Sequence, residues 1–163
     1  MEGRILESIA SFKIDHTKLL PGLYVSREDF VGTNSVTTFD IRVCKPNTGD
    51  VMSTGEMHAL EHIIATYLRN HSKWKDKVIY FGPMGCSTGF YLILAGSYCS
   101  YIVLPLVLEC FRFAAEFSGD IPGASAIECG NYLDMDLGAA KDRANNYYNI
   151  MLGADKNRLV YPK

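Results

Sequence analysis

The chain has 163 residues, 48% of them hydrophobic and 21% charged, with a formal net charge of −2. This is the length of one ordinary domain with a real core, and the composition of a globular chain, which excludes a disordered one. The slightly acidic balance, with no basic run and no basic patch interleaved with aromatics, excludes a nucleic-acid-binding module.

The first residues, Met1 to Glu7, contain no apolar stretch, so no secretory signal is expected. The run Leu23-Tyr24-Val25 reads as a short strand. From Val36 to Cys44 the pattern alternates, with Phe39, Ile41 and Val43 on one side and Asp40, Arg42 and Cys44 on the other, as in a half-buried strand.

After the turn signal Asn47-Thr48-Gly49-Asp50, the segment Ser53-Thr54-Gly55-Glu56 reads as a capping box opening a helix. Met57, Leu60, Ile64, Tyr67 and Leu68 recur at helical spacing, and the helix is expected to end around Asn70-His71-Ser72. His58 and His62 lie at i and i+4, so they are neighbours on one side of this helix and can close on one cation. At roughly 100° per residue they point away from the apolar stripe, and Arg69, seven residues after His62, falls on their side. A helix packed on its sheet by the apolar stripe leaves the histidine side for a cleft or a second chain. Glu61 stands one residue before His62, close enough to exchange protons at a bound ion but poorly placed as a third ligand. The arrangement is the H-x-x-E-H pattern of inverted zinc sites.

Lys77 to Phe81 reads as a strand, Gly82-Pro83-Met84-Gly85 as a turn, and Phe90 to Ala95 as a second strand. Cys86, between them and flanked by small residues, is a candidate for proton transfer beside a cation; a tight hairpin would account for the same residues. The apolar stretch Tyr98 to Phe117 is interrupted by Pro105, Glu109, Arg112 and Glu116. It is too short in its uncharged part to cross a membrane and reads as a buried or interface helix, with Pro105 near its first turn. A loop through Gly119-Asp120-Ile121-Pro122-Gly123 precedes a last helix from Leu137 to Leu152. Strands and helices that do not alternate regularly predict an α+β domain, an antiparallel sheet with helices on one face, spanning 1–163 without linker or repeat.

Five cysteines, an odd count without short paired spacing, fit reduced thiols and a cytoplasmic location. A catalytic metal site needs three protein ligands and an open position. Outside the helix the candidates are Cys129, in Ile127-Glu128-Cys129-Gly130-Asn131, and the adjacent Glu128. Cys44, Cys99 and Cys110 fall in strand or helix patterns and are expected in the core; His71 is expected at the surface of the helix's last turn. With Glu128 as third ligand the pattern would be a metallopeptidase, and with a closed site a non-catalytic metal-binding dimer.

An ordered set of segments extends across nearly the whole chain: Ser11-Phe12-x-x-Asp15-His16, Phe39-Asp40-Ile41-Arg42, His58-x-x-Glu61-His62, Pro83-Met84-Gly85-Cys86-x-Thr88-Gly89-x-Tyr91, Ile121-Pro122, Cys129-Gly130 and Asp136-Leu137-x-x-Ala140-Lys141. The set resembles the S-ribosylhomocysteine lyase (LuxS) family. That resemblance implies a homodimer with active sites at the subunit interface. It implies one divalent metal per subunit held by His58, His62 and Cys129, iron(II) in the family with zinc or cobalt able to substitute. Glu61 and Cys86 would be the acid/base pair, and Ser11, His16, Arg42 and Arg69 would line the pocket for S-ribosylhomocysteine. The products would be homocysteine and 4,5-dihydroxy-2,3-pentanedione, the autoinducer-2 precursor. The chain departs from the family pattern at Tyr80, where an acid is frequent, at Glu128 for a usual Gln, at Met135 for a His, and in the apolar character of 101–117.

Overall fold

The longest extended run in the chain folds back on itself at Gly32-Thr33, where Gly32 takes φ +64°, a left-handed conformation that costs glycine little. The computed structural model describes residues 7–162. The expectation for Met1 to Glu7 therefore falls, except for Glu7, outside the described residues, as do both ends of the 1–163 domain.

Strand β1 (Gly22–Val31) pairs antiparallel with β2 (Asn34–Arg42), Val31 facing Asn34 across the turn. The register shifts between Val25 and Arg27. Strand β4 (Gly89–Ala95) lies on the other side of β2, and β3 (Val78–Pro83) closes the antiparallel sheet in the order β1-β2-β4-β3. Alternation does what the sequence implied. Phe39, Ile41, Phe90, Leu92 and Leu94 are buried in one core with Leu60, Ile63 and Ile64 of the first helix. Burying a side chain of this size contributes roughly 1.5–3 kcal/mol, and a one-residue slip would turn the whole row outward, so the register is strongly specified.

Helix α1 (Thr54–Asn70) begins at the expected capping box, Ser53 accepting from the Glu56 amide and Glu56 accepting from the Ser53 amide. It ends at His71, whose ring is bonded to Glu109 rather than being a free surface group. Helix α2 (Ser100–Glu116) buries Val103, Leu106, Val107, Cys110, Phe111 and Ala114, and helix α3 runs over Leu137–Leu152 as the sequence predicts. A short α4 (Lys156–Leu159) precedes the tail. Arg143 of α3 bonds Glu56 and Asp50, tying α3 to the start of α1.

Several expectations are corrected. β1 is ten residues long, not the short Leu23–Val25 run, because its second half carries exposed polar residues that hide the alternation. Pro105 lies inside α2, past its first turn. Cys44 and Cys110 are buried, but Cys99 is exposed at the N-cap of α2. Among the described residues, no helix is long and apolar enough to cross a membrane.

Candidate metal centre and the Cys86 cavity

Helix α1 presents His58 and His62 one turn apart, their rings 4.8 Å between centroids, on the side opposite Leu60 and Ile64. The segment between α2 and α3 folds over them and brings Cys129 to within 3.2 Å of His58, Sγ to Nε2. One donor atom from each of His58, His62 and Cys129 lies within 4.8 Å of the others, so the three could hold a metal ion.

The remaining ring nitrogens are committed. His62 Nδ1 donates to the Pro122 carbonyl at 2.7 Å, and His58 Nδ1 donates to the Asp134 carboxylate at 2.6 Å. A carbonyl or carboxylate oxygen only accepts, so each Nδ1 carries a proton and Nε2 is the ring nitrogen left to face a cation. Outer hydrogen bonds of this kind orient metal-binding histidines. Two imidazole nitrogens and a cysteine sulfur make a donor set that suits zinc or ferrous iron, three protein ligands being the number a catalytic site uses.

Glycine makes the approach possible at two points. A Cβ on Gly55 would collide with the Asp134 carbonyl, and the Gly55 carbonyl accepts from the Asp136 amide at 3.1 Å. Gly123, at φ +72°, passes so close that a Cβ there would lie 3.1 Å from His62 Nδ1. Glu128 accepts from the Ser125 hydroxyl at 2.7 Å, and the group that could hold an ion is formed with Cys129.

On the sheet face away from the helices, Ser11, His16, Arg42 and Cys86 line one cavity of about 250 Å³ with Asp40, Tyr91 and Tyr161 among their neighbours. Cys86 is in the β3–β4 turn, exposed, next to Ser87 at φ +59°. Partial burial pushes its thiol up. Hydrogen bonds from the Thr88 side chain and backbone and the nearby Arg42 guanidinium outweigh that, so it ionises below the ordinary thiol range. Arg42 Nη1 lies 3.6 Å from Cys86 Sγ and donates to Thr88 Oγ1 at 2.5 Å. Its other edge forms a buried fork with Asp40 at 3.1 and 2.6 Å.

The structure thus gathers four of the sequence-nominated residues in one cavity and three in one metal-ligand cluster. Glu61 is half-buried on α1 and does not line the Cys86 cavity. Arg69 donates to the Val78 and Ile79 carbonyls of β3 at 2.7 and 2.8 Å, outside that cavity. Asp134 was not singled out from the sequence, and Asp40, Thr88 and Pro122 stood there only as members of the family segments, without a role. The i, i+2 pairing of Asp40 with Arg42 on one strand face was the available signal for Asp40. Asp134 gave none, since only the folded chain brings it to the imidazoles.

An α+β domain with a candidate N,N,S ligand cluster and a separate thiol set between Thr88 and Arg42 has the parts of a small metalloenzyme. The family model described as S-Ribosylhomocysteinase (LuxS) matches residues 9–158. The S-ribosylhomocysteine lyase of Clostridium beijerinckii is 58% identical over 158 residues, covering 96% of this chain and 99% of the relative. Those of Finegoldia magna and Desulfotalea psychrophila are 51% and 54% identical, covering 97% and 96% of this chain and 100% and 99% of their own lengths. The chain belongs to the S-ribosylhomocysteinase (LuxS) family.

Proposed function

We propose that this chain is a metal-dependent carbon–sulfur lyase that cleaves S-ribosylhomocysteine to homocysteine and 4,5-dihydroxy-2,3-pentanedione, the precursor of autoinducer-2. One observation carries the reading: His58, His62 and Cys129 converge as a ligand triad in a chain that aligns end to end with lyases of that name. Glu128 accepts from Ser125 and stands outside the candidate ligand group, which supports the lyase reading over the metallopeptidase alternative.

A divalent ion in the triad supplies Lewis acidity toward the sugar oxygens; iron(II) is the ion expected, with zinc or cobalt able to substitute. Moving the ribose carbonyl from C1 to C3 requires protons to be taken from carbon and returned. Cys86, with its thiolate favoured by Thr88 and Arg42, suits the removal. Glu61, one residue before a metal ligand, suits proton transfer on the metal side. With the carbonyl at C3, loss of the C4 proton expels the thioether from C5, and the departing homocysteine sulfur takes up a proton. Ser11, His16 and Arg42 hold the substrate beside Cys86, whereas Arg69, bonded to β3 outside this cavity, would line the substrate pocket only across two copies.

Neither Glu61 nor any donor of the triad lines the Cys86 cavity. This supports a homodimer in which the cavity of one copy meets the triad of another. Exposed Ile9 and Tyr80, on the lining of an adjoining cavity of about 270 Å³, offer apolar surface for that contact. The metabolic setting is the cytoplasmic recycling of methyl-transfer by-products, with the autoinducer-2 precursor as co-product. Anaerobically purified protein incubated with S-ribosylhomocysteine should release titratable thiol and elute as a dimer by light scattering. Absence of thiol release from metal-loaded protein overturns the lyase reading, and an active monomer overturns the shared site.

A further inference from the structure

The C-terminal tail reaches back into the Cys86 cavity. Tyr161 stacks on Tyr24, ring centroids 4.8 Å apart and 8° from parallel, and its hydroxyl donates to Asp40 Oδ2 at 2.9 Å. Asp40 and Arg42 are 2% and 3% exposed. A buried carboxylate with a single cationic partner is poorly compensated, and a third group that donates to it fixes both its charge and its position. Asp40 uses both oxygens on Arg42, holding Nε and Nη2 and leaving Nη1 to face Cys86 and Thr88. The tail that delivers Tyr161 is itself anchored. Tyr24 Oη donates to the Asn157 carbonyl at 3.2 Å and Arg158 donates to the Pro21 carbonyl at 2.7 Å.

We propose that Tyr161 is a positioning residue for the lyase reaction, setting Cys86 through the chain Tyr161–Asp40–Arg42–Cys86. The inference rests on the reading of Cys86 as an acid/base group. The hydroxyl draws on the Asp40 charge, so that the carboxylate orients Arg42 without cancelling its field at the thiol. Burial and Asp40 push the Tyr161 phenol far up, which keeps it a donor across the working pH range. The titratable and charged groups around the thiol are Arg42 and Asp40 on β2, Tyr91 on β4, His16 in the segment before β1, and Tyr161 itself.

Tyr161→Phe keeps the ring and its stack on Tyr24 while removing the donor. With Asp40 less neutralised, Cys86 should ionise at higher pH. In the metal-loaded, substrate-free enzyme, the rate of Cys86 alkylation by iodoacetamide, followed by mass spectrometry of its peptide, should move by about half a unit toward higher pH. That is about threefold slower at neutral pH. kcat should fall at neutral pH and recover at higher pH, with KM little changed. Replacing Tyr161 with 3,5-difluorotyrosine, a stronger donor, should move the alkylation profile the other way, and this arm decides the matter if the Phe variant does not fold. Profiles that overlay the parent's in the folded variants overturn the proposal, as does a fall in kcat that no pH restores. The alkylation readout needs no turnover. A Cys86→Ala enzyme with full lyase activity would therefore sink the acid/base reading while leaving the Tyr161 result intact.

Discussion

Asp134→Ala removes the acceptor that holds His58, and its effect on metal affinity follows from the bond lost. The bond is 2.6 Å long, and the His58 and Asp134 side chains are 19% and 27% exposed. A hydrogen bond to a charged group contributes about 1.5–3 kcal/mol, and partial exposure places this one in the lower part of that range, about 1.5–2.5 kcal/mol. At 1.4 kcal/mol per decade the loss is about 10–70-fold in affinity, within the span found for outer partners of metal-binding histidines. Freed from Asp134, the ring can rotate and the Nδ1 proton can move to Nε2, so both orientation and tautomer are lost. Asp134→Asn keeps an acceptor without the charge and should lie between Ala and the parent. The assay is competition of cobalt- or zinc-loaded protein against a chromogenic chelator under anaerobic conditions, with the cobalt absorption spectrum reporting on ligand geometry. An Ala variant that binds metal within about threefold of the parent and keeps the parent spectrum would refute the reasoning.

Cys86→Ala and Glu61→Gln should fold and keep their metal by elemental analysis, yet lose about 10²–10⁴-fold in homocysteine release. Since the depressed Cys86 thiol loses its thiolate as pH falls through its lowered value, the parent's activity should decline on the acid side; a profile flat there would contradict this assignment. Gly55→Ala, which at an exposed helical site would stabilise by about 1 kcal/mol, should instead destabilise by about 1–3 kcal/mol in chemical denaturation, because the new methyl meets the Asp134 carbonyl. Its metal affinity should fall with it. Burial pushes the Cys44 thiol up to about 11 and Cys110 higher still. At neutral pH both should resist alkylation in the folded protein while exposed Cys99 and Cys86 react, as peptide mass spectrometry can resolve.

What the sequence made legible was periodic or local. The capping box at Ser53–Glu56, the stripe Leu60-Ile64-Leu68 and the span Leu137–Leu152 depend on neighbours within a turn or two, and the structure reproduces them. The alternation Phe39-Ile41-Val43 is equally local. The burial of Asp40 and Arg42 on its other face was not legible, because Tyr161, which bonds Asp40, comes from the far end of the chain. β1 was shortened because Arg27, Glu28 and Asp29 carry no apolar period in a segment with one side toward water. At the candidate site the two histidines were legible from helical spacing and Cys129 from its loop-like Cys-Gly setting and the family resemblance. Asp134 was not, because its role comes from a segment docking on Gly55, a contact far apart in sequence and invisible to any window.

His58 and Cys129 are 71 residues apart along the chain. In polymer terms, bringing together the ends of a flexible loop of that length costs about 4 kcal/mol of chain entropy. Here part of that closure is borne by contacts that need no ion, with α3 tied to α1 through Arg143 and the imidazoles bonded to Asp134 and Pro122. An ion held by the triad then shares the closure with the protein's own bonds. Chelation should leave the far-ultraviolet circular dichroism and the pattern of proteolysis of the protein nearly unchanged.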